Sequence, residues 1–301
     1  MWWLSKREKE VNQHKNRNES TVSEQSPFAV SEAYRTIRTN IMFSLPSETE
    51  DKCKVILFTS AVPREGKSTT CTNVAITFAM TGQRVIVVDA DLRQPRISEC
   101  LGVKMKEGLS EYLVGIKELD EVIQTSEEYG IDFIASGKIP PNPSELLGFP
   151  SVKKLIKNLR ERYDYVFIDM PPATVVTDVS IVSKYVDGVV LVAREKYTKH
   201  DMIQAALSAL EFAKARVIGM IINDVHVSKH ASYSGGYYGR YGYGYGYGYG
   251  YGYSYAGKYG HGYGYADTKE KGEKQKKKDS QAVVPAAAVK KENAQGADQE
   301  A

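Results

Sequence analysis

The stretch SAVPREGKSTT at 60–70 constrains this chain more than any other. It follows an apolar run, KVILFTS at 54–60, and opens an amphipathic one at 67–81. A turn of this kind between strand and helix presents successive backbone N–H groups and a helix N-terminus, which together hold phosphate. Gly66 lets the backbone approach, Lys67 reaches the β- and γ-phosphates, and Ser68 offers a hydroxyl to Mg²⁺. Pro63, Arg64, Glu65 and Thr69 complete the expected nucleotide-binding loop, with Ala61 where the usual motif starts in Gly.

Further apolar runs follow at 84–91, 131–136, 165–172, 188–194 and 216–223. They are continuous rather than alternating, which suits strands of a parallel sheet buried on both faces. Helical patterns fall between them at 67–81, 151–162, 178–186 and 198–214, so an open α/β sheet covered by helices is expected. One more helix precedes the first strand. Ser31 is its expected N-cap, and Ala33, Ile37, Ile41 and Leu45 form its apolar stripe.

The acidic residues sharpen the reading. VIVVDADLR places Asp89 and Asp91 at one strand end, and FIDMPP places Asp169 at another. Parallel strands end on one edge, here the edge of the phosphate loop, and three carboxylates gathered there need a cation. Each Asp alone has a plainer use as a helix cap. Arg93 fits either a phosphate contact or a structural salt bridge, and Asn223 either an adenine contact or a loop cap.

Net charge is +3, from 40 basic and 37 acidic side chains, a balance that gives no reason to expect nucleic acid as a partner. The three cysteines form no C-x-x-C pair, which argues against a disulfide framework or zinc site and for a reducing compartment. No apolar run approaches the ~18 residues of a membrane helix. The expectation is a cytoplasmic protein, tethered to membrane only through a partner. Four segments are expected: a disordered 1–28, a catalytic domain at 29–228, a Tyr/Gly-rich 229–265 and a charged, disordered 266–301.

With DADLR after a hydrophobic strand, the chain resembles the bacterial tyrosine kinases, whose extra Walker A′ motif has this form. E-x-x-R-x-x-R at Glu32, Arg35 and Arg38 and the PPNPSELL run at 140–147 carry the same resemblance, closest to the stand-alone cytoplasmic kinases of Gram-positive capsule and exopolysaccharide systems. It implies an α/β P-loop NTPase fold of the deviant-Walker, MinD/ParA-like class, with a mostly parallel sheet flanked by helices. It also implies ATP and Mg²⁺ as cofactors. Lys67 would stabilise the transferring phosphoryl group; Ser68 and Asp91 would hold the metal, with support from Asp169. Asp89 would accept the proton of the incoming tyrosine, and Asn223 would meet the adenine. Glu32, Arg35 and Arg38 would pack against the next subunit of a homo-oligomeric ring, and a membrane-embedded chain-length regulator would activate the kinase at the inner face of the membrane. Sugar-nucleotide enzymes are further substrates implied by the resemblance. Arg64 departs from it, standing where these loops commonly carry Gly, and is expected to perturb loop geometry or nucleotide affinity without abolishing the site.

The Tyr/Gly segment then gains a meaning. Tyr233, Tyr237, Tyr238, Tyr241, Tyr243, Tyr245, Tyr247, Tyr249, Tyr251, Tyr253, Tyr255, Tyr259, Tyr263 and Tyr265 are fourteen of the chain's 21 tyrosines. A Gly-rich chain spans about 5–6 Å × √n, so these hydroxyls reach a nearby active site. The expected activity is autophosphorylation of this cluster in trans within the oligomer, regulating polysaccharide synthesis and export. At roughly −1.5 to −2 charges per phosphotyrosine, a neutral appendage becomes strongly acidic. The competing readings are a partitioning or positioning ATPase, which usually carries a second Lys early in the loop, and a low-complexity Tyr/Gly interaction protein with an ATPase domain. An iron–sulfur scaffold ATPase would need the missing C-x-x-C pair.

Overall fold

Seven strands form one sheet in the order β3-β4-β2-β5-β1-β6-β7. The computed structural model describes residues 21–23, 26–45 and 53–226. The strands are β1 Lys54–Ser60, β2 Val85–Asp89, β3 Ile123–Ser126, β4 Ile131–Ile134, β5 Tyr165–Asp169, β6 Gly188–Arg194 and β7 Val217–Asn223. All pairings are parallel except β3–β4. The short edge strand β3 is absent from the sequence reading because its IQTS lacks the apolar continuity of the others. The helices are α1 Phe28–Ser44, α2 Lys67–Ala79, α3 Ile97–Leu101, α4 Leu109–Leu113, α5 Leu119–Val122, α6 Pro143–Leu147, α7 Pro150–Arg162, α8 Asp178–Val182 and α9 His200–Phe212. The result is the expected P-loop α/β architecture.

Two apolar layers sandwich the sheet. On one face α7 and α9 pack over Val55, Leu57, Val166 and Ile168; on the other α1 and α2 cover Ile56, Phe58, Val87 and Phe167. Phe167 sits 6.0 Å from Phe58 and 5.3 Å from Phe78 of α2, which fixes the phosphate-loop helix on the sheet. Each tilted aromatic pair contributes about 0.5–1.5 kcal/mol beyond its buried area. Asp89 and Asp169 are register partners on adjacent strands, so topology alone brings them together.

Four details differ from the sequence reading. Helix α1 begins at Phe28 after Pro27, not at Ser31, because the fixed φ of proline (here −53°) sets the entry. Its inward stripe uses Tyr34, Ile37, Ile41 and Leu45, while Ala33 is exposed. Strand β7, read as buried on both faces, is exposed at Met220 (46%) and Ile222 (54%) because it is the terminal strand of the sheet. Thr21 and Val22, assigned to a disordered 1–28, are buried, with the Val22 N–H donating to Asn73 Oδ1 of α2 at 2.9 Å. The Tyr/Gly comb with its fourteen tyrosines and the charged 266–301 lie outside the described residues.

Candidate active site

The phosphate loop runs from the end of β1 to the start of α2. Gly66 has φ +81°, which favours glycine, and a Cβ there would lie 2.0 Å from Asn223 Nδ2 and displace that side chain. Arg64 adopts φ +67° in the same loop, a left-handed conformation that disfavours side chains. What holds the loop comes from behind it. Glu65 is buried and its carboxylate is taken up by the protein: its Oε2 accepts the Val62 N–H at 2.9 Å and its Oε1 accepts the Thr198 hydroxyl. Tyr197 donates to the Pro63 carbonyl at 3.3 Å, and Asn223 Nδ2 donates to the Glu65 carbonyl at 3.0 Å. An acidic residue in an anion-binding loop signals such a brace, since left facing the ligand it would repel it.

Asn223 is therefore placed against the loop backbone, the contact expected of the loop-capping alternative. An Asn223→Ala variant should lose about 1 kcal/mol of binding, roughly fivefold, for ADP and for inorganic tripolyphosphate alike. A loss confined to ADP in competition binding would restore the adenine role.

The carboxylates meet one cation, Lys67. Its Nζ lies 2.6 Å from Asp169 Oδ1 and 3.4 Å from Asp91 Oδ2, and the Ser68 hydroxyl donates to Asp169 Oδ2 at 2.5 Å. Burial alone would lower the Lys67 pKa, but Asp169 and then Asp91 outweigh it and raise it, so the ammonium stays charged. Asp91 Oδ1 accepts the N–H of Gln94 at 3.0 Å. Asp89 Oδ2 accepts the N–H groups of Arg96 and Ile97, both at 3.0 Å, and so holds the start of α3. Its other oxygen, Oδ1, is buried without a hydrogen-bond partner among the described residues. Burial first, and the charge of Asp169 second, push the Asp89 carboxyl up to about 7. The plain capping role and the chemical one thus coexist, one on each oxygen.

Among the described residues no group of three or more His, Cys, Asp or Glu has the geometry to hold a metal ion unaided. That suits Mg²⁺, which is usually held by one or two carboxylates together with water and substrate phosphates. Ser68, Asp91 and Asp169 present hard oxygen donors around Lys67, and the orphaned Asp89 Oδ1 leaves polar demand in the site, so the set fits a magnesium-bound phosphate ligand.

A cavity of about 710 Å³ opens here. Pro63, Arg64, Glu65, Gly66, Lys67, Ser68 and Thr69 line one wall; Asp91, Arg93, Gln94, Arg96, Glu99 and Cys100 line another, with Pro171, Pro172, Val175 and Val176 opposite. Arg93 is committed to structure. Its Nε lies 3.1 Å from the fully buried Asp178, and its Nη2 donates to Ser144 Oγ at 2.9 Å. Ser144 belongs to the PPNPSELL run, which thus fastens the strand end bearing Asp91; no spacing rule in the sequence joins it to Asp178.

Glu32, Arg35 and Arg38 do not share one outward face. Arg35 pairs with Glu32 at 2.6 Å on the surface of α1, but Arg38 turns inward and donates to the Thr77 carbonyl at 2.8 Å. There the guanidinium satisfies an otherwise unpaired carbonyl at the C-terminus of α2.

Comparison with known proteins shows what the chain is similar to. A family model described as ParA, NUBPL iron-transfer P-loop NTPase, matches residues 53–281. Tyrosine-protein kinase YwqD of Bacillus subtilis (strain 168) is 40% identical over 69% of this chain and 86% of its own length. Tyrosine-protein kinase ptk of Acinetobacter johnsonii is 37% identical over 65% of this chain, which spans only 26% of that relative. The crystal structure of the chimerical protein CapA2B2 is 33% identical, covers 68% of this chain and 88% of its own, and superposes with a TM-score of 0.63.

Proposed function

This chain belongs to the bacterial tyrosine-kinase family, and we propose that it is an ATP-dependent autokinase acting on its own C-terminal tyrosine cluster. The observation that carries the reading is the unpartnered Asp89 Oδ1, buried beside Lys67 with a carboxyl pushed up to about 7. A pKa near the working pH is what a general base needs. The site also lies at the root of the tyrosine-rich segment: β7 ends at Asn223 against the phosphate loop, and the next residue, Asp224, is clasped by Arg194 at 2.7 Å.

Ser68 and Asp91, with Asp169 behind them, would hold Mg²⁺, which when bound would supply positive charge against the transferring phosphoryl group. Lys67 exchanges its carboxylate partners for phosphate oxygens when the triphosphate arrives. The tyrosine oxygen attacks the γ-phosphorus, the bond to the ADP oxygen breaks, and the phenolic proton passes to Asp89. Backbone N–H groups of the loop, fixed from behind through Glu65 and Asn223, need no reorganisation as charge develops. The test is incubation of the full chain with ATP and Mg²⁺, then phosphosite mapping by mass spectrometry. Phosphate on tyrosines between Tyr233 and Tyr265 is expected; ATP hydrolysis without phosphotyrosine would instead fit a partitioning-type ATPase.

The same reading assigns the protein to control of capsule or exopolysaccharide synthesis, working with a membrane-embedded regulator and itself assembling as a homo-oligomer, with sugar-nucleotide enzymes as outside substrates. Among the described residues no helix is long and apolar enough to cross a membrane. Assembly runs through α1, where Glu32 and Arg35 share an exposed surface with Phe28 and Phe43. Replacing Glu32 and Arg35 together by Ala should give a smaller species in light scattering with ADP binding retained. Arg38→Ala should instead lower folding stability by about 1 kcal/mol, because its partner is internal. An unchanged particle mass in the double variant would remove α1 from the interface.

A further inference from the structure

We propose that Arg64 is a phosphate-binding residue of this site, adding a second cation to Lys67 at the wall of the cavity. The inference rests on the nucleotide-dependent reading above and deepens it. Arg64, Arg93 and Arg96 all line the cavity. Arg93 is tied to Asp178 at 3.1 Å, and Arg96 to Glu99 at 2.5 Å. Arg64 has no hydrogen bond or ion pair among the described residues, so it is the arginine free to meet an anion.

The need for such a charge is visible in the site. Lys67 is the one ammonium among Asp89, Asp91 and Asp169, and two of these already hold it at 2.6 and 3.4 Å. An anionic ligand entering next to three carboxylates gains from every further cation in a partly dehydrated cleft. Backbone geometry points the same way. Arg64 sits at φ +67°, where glycine would be unstrained, and the loop is kept in that shape from outside by Glu65, Tyr197 and Asn223. An arginine retained at such a position, lining an anion site and lacking an acidic partner, is explained by what its guanidinium does for a phosphate.

The phosphate has two possible sources with the same chemistry: the nucleotide, or a phosphotyrosine already placed on the comb. Binding of Mg²⁺–ADP and of a Gly-phosphotyrosine-Gly peptide separates them. Both are measured by calorimetry on the full chain carrying Arg64, Arg64→Lys, Arg64→Gln or Arg64→Gly. Loss of a charge-assisted contact should weaken binding about tenfold in the Gln and Gly variants, with partial recovery in Lys and a shallower salt dependence in the uncharged pair. If the ADP arm moves, the nucleotide is the source; if only the peptide arm moves, the modified comb is. In the kinase assay, an ADP-arm effect should appear as a raised KM for ATP with kcat little changed.

Gly relieves the backbone while Gln keeps it strained, so equal losses in the two assign the effect to charge. Unchanged affinity in both arms, or Gly binding more tightly than Arg with Lys no better than Gln, overturns the inference and leaves the kinase reading intact. Failure of the wild-type chain to bind Mg²⁺–ADP or the peptide would overturn both.

Discussion

Replacing Lys67 by methionine is expected to cut phosphorylation of the tyrosine cluster by about 10²–10³-fold, the usual cost of deleting one preorganised charge contact to a transition state. Methionine keeps length and apolar stem, so the fold around α2 should persist. What it removes is, among the described residues, the one ammonium paired with Asp91 and Asp169, at 3.4 and 2.6 Å. The three carboxylates would then compete for protons, and stability should fall at neutral pH more than in acid. Side-by-side mass spectrometry of protein purified from its host reads the result. Phosphates on 233–265 should vanish in the variant. Their persistence would make this chain the substrate of some other kinase and end the autokinase reading.

The second large effect is expected from Asp89→Asn, at about 10²–10⁴-fold in rate, the range for loss of a general base. Asparagine can still accept the N–H groups of Arg96 and Ile97 through its carbonyl oxygen, so α3 should keep its start. Only the unpartnered oxygen changes, becoming an amide that cannot take a proton. In the wild type kcat/KM should rise with pH through about 7 as this carboxyl ionises in the free protein, and that acid limb should be missing from the residual activity of the variant. Stability carries the opposite sign. A carboxyl raised from about 4 binds its proton more tightly in the native than in the unfolded state, so native stability is highest below about 4 and declines as pH rises towards about 7. The Asn variant should show a smaller decline in denaturant titrations of nucleotide-free protein. An acid limb unchanged in the variant would move the base elsewhere.

Much of this was legible in the sequence, for definite reasons. The β1–α2 turn and the strand ends carrying Asp89 and Asp169 were readable because a parallel sheet sends all its C-terminal ends to one edge, whatever the loops do. The brace was not. Tyr197 meets Pro63 and Thr198 meets Glu65 across more than a hundred residues through hydrogen bonds, and no periodicity encodes a contact of that separation. Arg38 misled for a related reason. Helical spacing puts it on the face of Glu32 and Arg35, but a long side chain at the edge of a face can swing to either side, and the unpaired Thr77 carbonyl draws it in. For Arg93 and Asn223 two roles each were open, and the contacts seen are the bracing ones.

That brace has a mechanical side. The chain leaving β7 is stitched to the fold by the Arg194–Asp224 clasp, by the His226 N–H on Glu195, and by Asn223 on the Glu65 carbonyl. A tug on the appendage, whether from a partner gripping it or from repulsion between charged strands, would strain these stitches first and then slacken the cradle under the phosphates. On the autokinase proposal the segment that carries the substrate tyrosines would also be a cord to the pocket, and tension on it would be a way for the outside to loosen the grip on nucleotide. Hydrogen exchange at residues 62–66 that stays unaltered when the appendage is held or charged would show the cord to be slack.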